Sequence, residues 1–512
     1  MHVAPRKLAK LLPDIRANLS RASAIGYRFF MAFRLPAFSP VAWMTTEKIT
    51  QQVLWLVLFG ILAPILGPRP YGIFSIVMVF VGFCEFVLSV VAVETLVTVE
   101  NLDPPHMATA NLAMGGLALV VSLSLFLLAP AIALAFHEQE LKYLTWSLIP
   151  LPALSLLSAV PIAMLRRSLQ YKRLAVRSII GLMIGGLFGI ALGLAGAGVW
   201  ALAMQVLAQR LAEVVIAWLS VQQRFRLGWS VEHFREMRSA AINIFVASAM
   251  IFAGGQLPRL VLGYMLGPSE LGLFTLATRI LDIIVNTALV PRVAIGRIEL
   301  RNLPPEAAEF QRRFVSMAQN VAVLFFPILL GTAVIMPDLF RVWLDQRWQA
   351  GTVAAQLIML SGLPLVFYYC IDAALLAAKL SSLFRTMATV QTVTVLVTML
   401  GVAPFGLNAT CLALAVRPWI LLPLFLVVFY RQCHLPVLKV LRPPLSSLLG
   451  AIIMAGTVSL PFLHLVWLDG RLNLIVLVTI GAVVYGAFLY SFSRDQLIEA
   501  LTGFFPRRLR NQ

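Results

Sequence analysis

Fourteen apolar runs long enough to cross a bilayer follow one another along this chain. They fall at about 45–66, 72–93, 108–130, 144–164, 178–197 and 199–219, then 240–266, 271–291, 315–336, 353–376, 386–405 and 409–430, and last 446–466 and 473–492. A hydrocarbon core of about 30 Å needs about 20 apolar residues per spanning helix, and each run meets that length. With 60% hydrophobic residues, 12% charged residues and a mean hydropathy of +0.90, a water-soluble fold is excluded. The expected fold is an all-α polytopic membrane protein of about fourteen transmembrane helices.

The placement of Lys and Arg sets the orientation. With the N-terminus on the cytoplasmic side, 30 of the 40 basic residues fall in the N-terminal segment, the inner loops and the C-terminal tail. The outer loops hold five, namely Arg69, Lys142, Arg341, Arg347 and Arg471, and the last five (Lys48, Arg210, Arg259, Arg279, Arg417) lie within spans. Both termini are therefore expected inside, which requires an even number of spans. The net charge of +18 is topogenic on this reading and not a nucleic-acid footprint. The outer loops are short, the largest being 336–351, so no periplasmic domain is expected.

A repeat divides the chain. Leu66–Phe74 reads L-G-P-R-P-Y-G-I-F and Leu266–Phe274 reads L-G-P-S-E-L-G-L-F, each between two apolar runs. Gly-Pro turns a chain sharply. A second, looser pair joins the fifth and sixth runs of each half: Gly196–Ala203 with Gly406–Ala413. Six spans per half make the halves parallel repeats. Two six-helix lobes with a cleft between them follow, at 41–220 and 240–432, with an amphipathic cytoplasmic linker at 221–239. Two further helices occupy 433–493 and a basic cytoplasmic tail 494–512.

Residues 1–40 are not expected to be a secretory signal, because Arg16, Arg21, Arg28 and Arg34 interrupt every apolar run. Ile15, Leu19, Ala22, Ile25, Phe29 and Phe33 recur at helical spacing, the pattern of a basic amphipathic helix on an anionic membrane surface. Cys84, Cys370, Cys411 and Cys433 show no C-x-x-C spacing and support neither disulfides nor zinc. No phosphate-binding G-x-x-x-x-G-K-[ST] loop occurs. The six histidines are scattered and suggest no metal or catalytic cluster. No catalytic residue, metal or cofactor is expected.

Gly181, Gly185, Gly189 and Gly193 stand at strict i+4 spacing in the fifth run, a flat face for close helix packing. Charges inside the membrane each cost at least about 2.5–3.5 kcal/mol, so each needs a reason. Arg279 with Asp282, and Arg210 with Glu213, stand at i,i+3 and can neutralise each other along one face. Arg259 and Arg417 have no such partner on their own helices, and each adjoins a proline (Pro258, Pro418) that frees backbone groups where a helix lines a cavity. A guanidinium binds phosphate oxygens bidentately, so Arg279, Arg259 and Arg417 are candidates to hold a phosphate-bearing lipid headgroup. Lys48, at the inner mouth of the first span, could meet a substrate entering from the cytoplasm. Glu85, Asp282 and Asp372 are either proton or sodium coupling sites or counter-ions of those arginines.

The L-G-P-x-x-Y-G-I-F turn, the Leu165–Leu174 loop (L-R-R-S-L-Q-Y-K-R-L), Gly198–Leu202 (G-V-W-A-L) and the second-half L-G-P-S-E-L-G-L-F-T-L-A-T ending at Arg279 together resemble Wzx-type polysaccharide flippases. These form the polysaccharide transporter branch of the superfamily that also holds multidrug antiporters and the peptidoglycan-precursor flippase, and the likeness extends best over the first eight spans. It implies two six-helix lobes followed by two helices. It further implies alternating access that carries an undecaprenyl-diphosphate-linked oligosaccharide from the cytoplasmic to the periplasmic leaflet of a bacterial inner membrane. Arginines of a central cavity would hold the diphosphate, and Arg279 falls where the family often has a cation. Members often carry Asp before the residue matching Arg259, where this chain has Pro258, so a kink in the seventh helix is expected and ion coupling through that Asp is in doubt. A polysaccharide polymerase and chain-length or export proteins are the implied partners, besides the lipid-linked substrate and the bilayer.

Rival readings are a peptidoglycan-precursor flippase, a drug or ion antiporter, a non-transporting scaffold, and a membrane O-antigen polymerase or ligase. The antiporter would favour acids over arginines in the cleft. The enzyme would need a sizeable periplasmic loop, which this chain lacks.

Overall fold

The computed structural model describes residues 40–99, 103–221, 228–433, 435, 437–460 and 470–492. The basic amphipathic segment before residue 40 and the tail 494–512 lie outside them. Among the described residues there is no strand, and fourteen helices are long and apolar enough to span a membrane. They are α1 Ala42–Leu66, α2 Pro68–Thr98, α3 Pro104–Ala135, α4 Glu140–Arg167, α5 Tyr171–Leu194, α6 Val199–Leu219, α7 Val231–Leu266, α8 Pro268–Leu300, α9 Ala308–Trp343, α10 Gln346–Ala377, α11 Ser381–Phe405, α12 Leu407–Cys433, α13 Val440–Val458 and α14 Gly470–Ser491.

Each apolar run corresponds to one helix, but most helices outrun the apolar stretch at their polar ends. Residues 231–239, read as linker, already belong to α7, and α5 takes in Lys172, Arg173 and Arg177. Lys, Arg and Glu are good helix formers, so hydropathy ends before the helix does. Prolines mark the irregular places. α4 restarts at Pro150 and again at Ala159. α8 carries a π turn over Val285–Leu289 just ahead of Pro291, whose missing N–H disrupts the regular ladder. Pro258 lies inside α7 without interrupting the assigned helix.

The described residues form two compact units. One holds the chain up to Leu66 together with Ile73–Leu257, and the other holds Gly67–Gly72 and the chain from Pro258 onward. In the first unit α5 is the central packing element, lying against α6 and α1. A Cβ on Gly181 would stand 2.5 Å from Glu213 Cγ, on Gly185 2.5 Å from the Gln205 carbonyl oxygen, on Gly189 2.8 Å from Gln205 Cβ and on Gly193 2.9 Å from Leu62 Cδ2. Backbone thus lies against side chain or backbone along four turns, a separation only glycine permits. Arg167 Nη1 donates to the carbonyls of Leu96 (3.3 Å), Val97 (3.2 Å) and Val99, where α2 ends. Arg173 Nη1 donates to Ser220 O at the end of α6 (2.7 Å). These arginines therefore satisfy the last carbonyls of helices.

The second unit is built around α9, whose Phe310, Phe314, Phe325, Phe326 and Phe340 are fully buried. α13 lies along α9 and α14 on both. The Tyr485 hydroxyl of α14 donates to Val323 O of α9 at 2.8 Å. This unit also contains both copies of the repeated turn. Gly67 and Gly267 take φ of +78° and +83°, a conformation that glycine adopts without strain, and each is followed by a proline that opens α2 or α8. The two copies meet reciprocally. A Cβ on Gly72 would overlap the Pro268 carbonyl, and a Cβ on Gly272 would overlap the Pro68 carbonyl. Tyr71 is edge-on to the buried Trp348 of α10, with ring centroids 5.7 Å apart.

The repeat reappears in backbone geometry where the sequences no longer match. Leu169 and Lys379 both take positive φ (55° and 62°) after α4 and α10. The following amides, Gln170 N and Leu380 N, each donate to the carbonyl five residues back, Leu165 O and Leu375 O, at 2.9 Å. Gly196 and Gly406 likewise take +78° and +98° before α6 and α12.

Gly272→Val should prevent recovery of monodisperse protein from detergent-solubilised membranes, because its side chain would occupy backbone space. Gly255→Ala, with nothing within 4 Å of its Cβ, should stay within about 1 kcal/mol of the parent. Size-exclusion profiles of the two variants check this.

Candidate functional site

Buried charge collects at two places, one in each unit, and their balance differs. In the first unit Glu85 of α2, 7% exposed, meets Arg210 Nη2 of α6 at 2.5 Å and accepts from Ser155 Oγ of α4 at 3.1 Å. Arg210 Nη1 also meets Glu213 at 2.8 Å, Gln209 Nε2 donates to Glu213 at 2.9 Å, and Arg177 of α5 stands 4.0 Å from the same carboxylate. Two acids and two guanidiniums from α2, α5 and α6 form one network. The i,i+3 pair of Arg210 with Glu213 is there, and Glu85 is the second counter-ion of Arg210. Arg177 entered the sequence reading only as an inner-loop charge. Its role here depends on α5 lying so close to α6, which the glycine stripe allows. A network of balanced charge with its lone pairs engaged holds helices together and has no charge left for a ligand. Lys48 of α1 also belongs to this unit and is exposed.

In the second unit the balance is positive. Asp282 of α8 is 3.9 Å from the Arg259 guanidinium of α7. Arg279, one turn before Asp282, lies within electrostatic reach of both. The side chain of Asp282 is half-exposed, so it is not sealed into the pair. Tyr369 of α10 lies within reach of Asp282 and of the half-buried Asp372. Among the described residues no basic side chain stands within ion-pair distance of Asp372. Tyr368 is within reach of both Asp372 and Arg417. Arg417 of α12 donates through Nη1 to Gln391 O and Thr394 Oγ1 of α11, both at 2.9 Å, and the Tyr368 hydroxyl donates to Pro418 O at 2.7 Å. Arg417 is tied to α11 by one of its two terminal nitrogens.

Three guanidiniums, Arg259, Arg279 and Arg417, accompany two carboxylates, Asp282 and Asp372. Within membrane-length helices, where each charge is costly, this group therefore holds more positive than negative side chains. The π turn Val285–Leu289 begins three residues after Asp282, and Asn286 Nδ2 donates to Asp282 O at 2.8 Å. Such turns are frequent at functional sites.

Sequence spacing missed one more cluster. His106 and His233, read as scattered, lie with ring centroids 3.9 Å apart, and His106 Nε2 is 3.1 Å from Glu236 Oε2. His106 is at the start of α3 and His233 at the start of α7, so only the fold brings them together. Among the described residues no group of three or more His, Cys, Asp or Glu side chains is arranged to hold a metal ion.

A family model described as polysaccharide biosynthesis protein matches residues 61–353. The chain is 23% identical over 324 residues to the succinoglycan biosynthesis transport protein ExoT of Rhizobium meliloti (strain 1021), a match spanning 63% of this chain and 65% of that one. It is 24% identical to the lipopolysaccharide biosynthesis protein WzxC of Escherichia coli (strain K12), over 65% of this chain and 68% of that one. Among solved structures, the lipid II flippase MurJ in an inward closed conformation superimposes with a TM-score of 0.70 at 14% identity, over 89% of this chain and all of that one. The last similarity is one of fold.

If the first-unit network is a mutually dependent structural unit, Glu85→Leu and Arg210→Leu should each lower the melting temperature of the purified protein. The double variant should lose less than their sum, by a coupling of about 1 kcal/mol or more. Additive losses in thermal unfolding of the purified variants would contradict the pairing.

Proposed function

We propose, for a chain that belongs to the polysaccharide biosynthesis protein family, that it moves an undecaprenyl-diphosphate-linked oligosaccharide repeat unit from the cytoplasmic to the periplasmic leaflet. The movement would occur in the bacterial inner membrane by alternating access and would feed exopolysaccharide, O-antigen or capsule assembly. The observation that carries this reading is the positive excess of Arg259, Arg279 and Arg417 over Asp282 and Asp372 within membrane helices. Dragging a diphosphate and a sugar chain through hydrocarbon unaided is prohibitive, because each unpaired polar group costs several kcal/mol and each charge more. Guanidiniums already held in the membrane replace part of the water that the diphosphate gives up, and they bind its oxygens through a planar fork.

The site residues would divide the work. Arg279 and Arg259 share Asp282 in the resting arrangement, and an arriving diphosphate competes with that carboxylate for them. Arg417 keeps one terminal nitrogen on α11 and offers the other. Asp372 is the candidate for proton or sodium coupling. Lys48, exposed near the inner end of α1, would meet substrate entering from the cytoplasm. The names of ExoT and WzxC favour polysaccharide building blocks over a peptidoglycan precursor or a drug or ion, and that of ExoT favours transport in place of catalysis. The 30-to-5 distribution of basic residues supports cytoplasmic termini. A polymerase and chain-length or export proteins would take the flipped units.

Arg279→Ala should reduce polysaccharide export to below about a tenth of the parent while the protein stays in the membrane, since a charge-assisted bond to phosphate contributes about 1.5–3 kcal/mol. Arg279→Lys, which keeps the charge and loses the fork, should restore export in part. Complementation of a deletion strain, with quantification of exported polymer and membrane-bound protein, makes the test. Normal export by Arg279→Ala would remove the cation from the mechanism.

A further inference from the structure

We propose that the N-terminal ends of α9 and α13 form a second anion site, separate from the arginines above, which takes a phosphate group from an anionic phospholipid headgroup or from soluble phosphate. A cavity of about 500 Å³ opens there, lined by Gln311, Arg312, Ser316 and Gln319 of α9 and by Arg442 of α13. Ala308, Arg312, Val315 and Gln319 follow one another at intervals of four, three and four, so they occupy one face of α9. The volume is that of an ordinary small-ligand pocket, with room for a glycerophosphate headgroup as well as for free phosphate.

The charge arrangement points to an anion. The neighbouring Arg313 is fully engaged, with Glu309 at 3.0 Å and Glu299 at 3.8 Å. Among the described residues Arg312 and Arg442 form no ion pair, although acids stand one residue's reach away on Arg313. Glu299 and Glu309 thus pair with the arginine outside the cavity, while two other guanidiniums line it. Two guanidiniums beside amide and hydroxyl donors form the donor set that phosphate oxygens need. The first turn of α9 adds unpaired backbone N–H groups, since Ala307 supplies no side-chain cap and Ala308 lines the cavity. Val315 and Leu435 supply an apolar wall, which a glycerol backbone and the start of an acyl chain would cover. On the topology argued from basic residues, both helix ends lie on the inner side, at the level of the cytoplasmic leaflet's headgroups. A lipid held here would sit against α13, the helix packed along α9, and would stabilise that packing.

The test uses the full chain in nanodiscs of phosphatidylcholine. Phosphatidylglycerol is titrated in and counted on the protein by native mass spectrometry, and inorganic phosphate and diphosphate are titrated separately by calorimetry. Arg312→Gln and Arg442→Gln should each weaken binding about tenfold, and the double variant roughly a hundredfold. The double Lys variant should retain most of the binding. Phosphatidylglycerol binding that free phosphate does not displace, and that the Gln variants lose, assigns the site to a lipid headgroup. Phosphate or diphosphate binding without the lipid, lost in the same variants, assigns it to a soluble anion. Equal binding of all these probes by the parent and by either single Gln variant overturns the site, and because both side chains are exposed the single variants remain readable if the double fails to fold.

Discussion

The reciprocal contact between Gly72 and Pro268, and between Gly272 and Pro68, is the constraint on which the repeat depends. Each L-G-P turn ends one helix with a glycine at positive φ and starts the next with a proline. Because glycine has no Cβ, the two turns can approach until a glycine Cα faces a proline carbonyl oxygen. The same motif therefore serves twice, once as a turn and once as half of a crossing, and Trp348 behind Tyr71 completes the setting. The corresponding positive-φ positions after α4 and α10, Leu169 and Lys379, show that the repeat persists in backbone geometry after side-chain identity has drifted.

Charge inside the membrane then separates structure from candidate function. A bilayer penalises any charge, so a buried network persists only if it is balanced or if imbalance has a use. The Glu85–Arg210–Glu213–Arg177 network is balanced and ties α2, α5 and α6 together. The Arg259–Asp282, Arg279, Asp372 and Arg417 group is not balanced, and its excess is positive. A lipid carrying a diphosphate is a natural complement, which is why the arginines rather than the acids carry the functional argument.

Much of this was legible in the sequence because the bilayer imposes a local rule. Twenty apolar residues in a row read as a helix whatever their partners, so the fourteen helices and their order followed from hydropathy. Helix ends were less legible, as α7 shows by beginning at Val231, because helix propensity continues past the apolar stretch. Long-range pairings were not legible. Asp282 could be matched by spacing to Arg279 on its own helix, but the nearest guanidinium is that of Arg259 on α7. Arg417 gave no sign of its bonds to Gln391 and Thr394, nor the histidines at 106 and 233 of their edge-to-face contact. Such contacts are decided by which helix faces meet, and hydrophobic periodicity in nearly all-apolar helices leaves those faces unmarked.

The central claim is that this chain carries lipid-linked oligosaccharide across the inner membrane, and the leaflet in which that lipid resides tests it most directly. In cells depleted of this protein, finished undecaprenyl-linked repeat units should accumulate on the cytoplasmic face, inaccessible to a periplasmic glycan-modifying probe, and re-expression should release them. Unchanged appearance of those units on the periplasmic face during depletion would contradict the account.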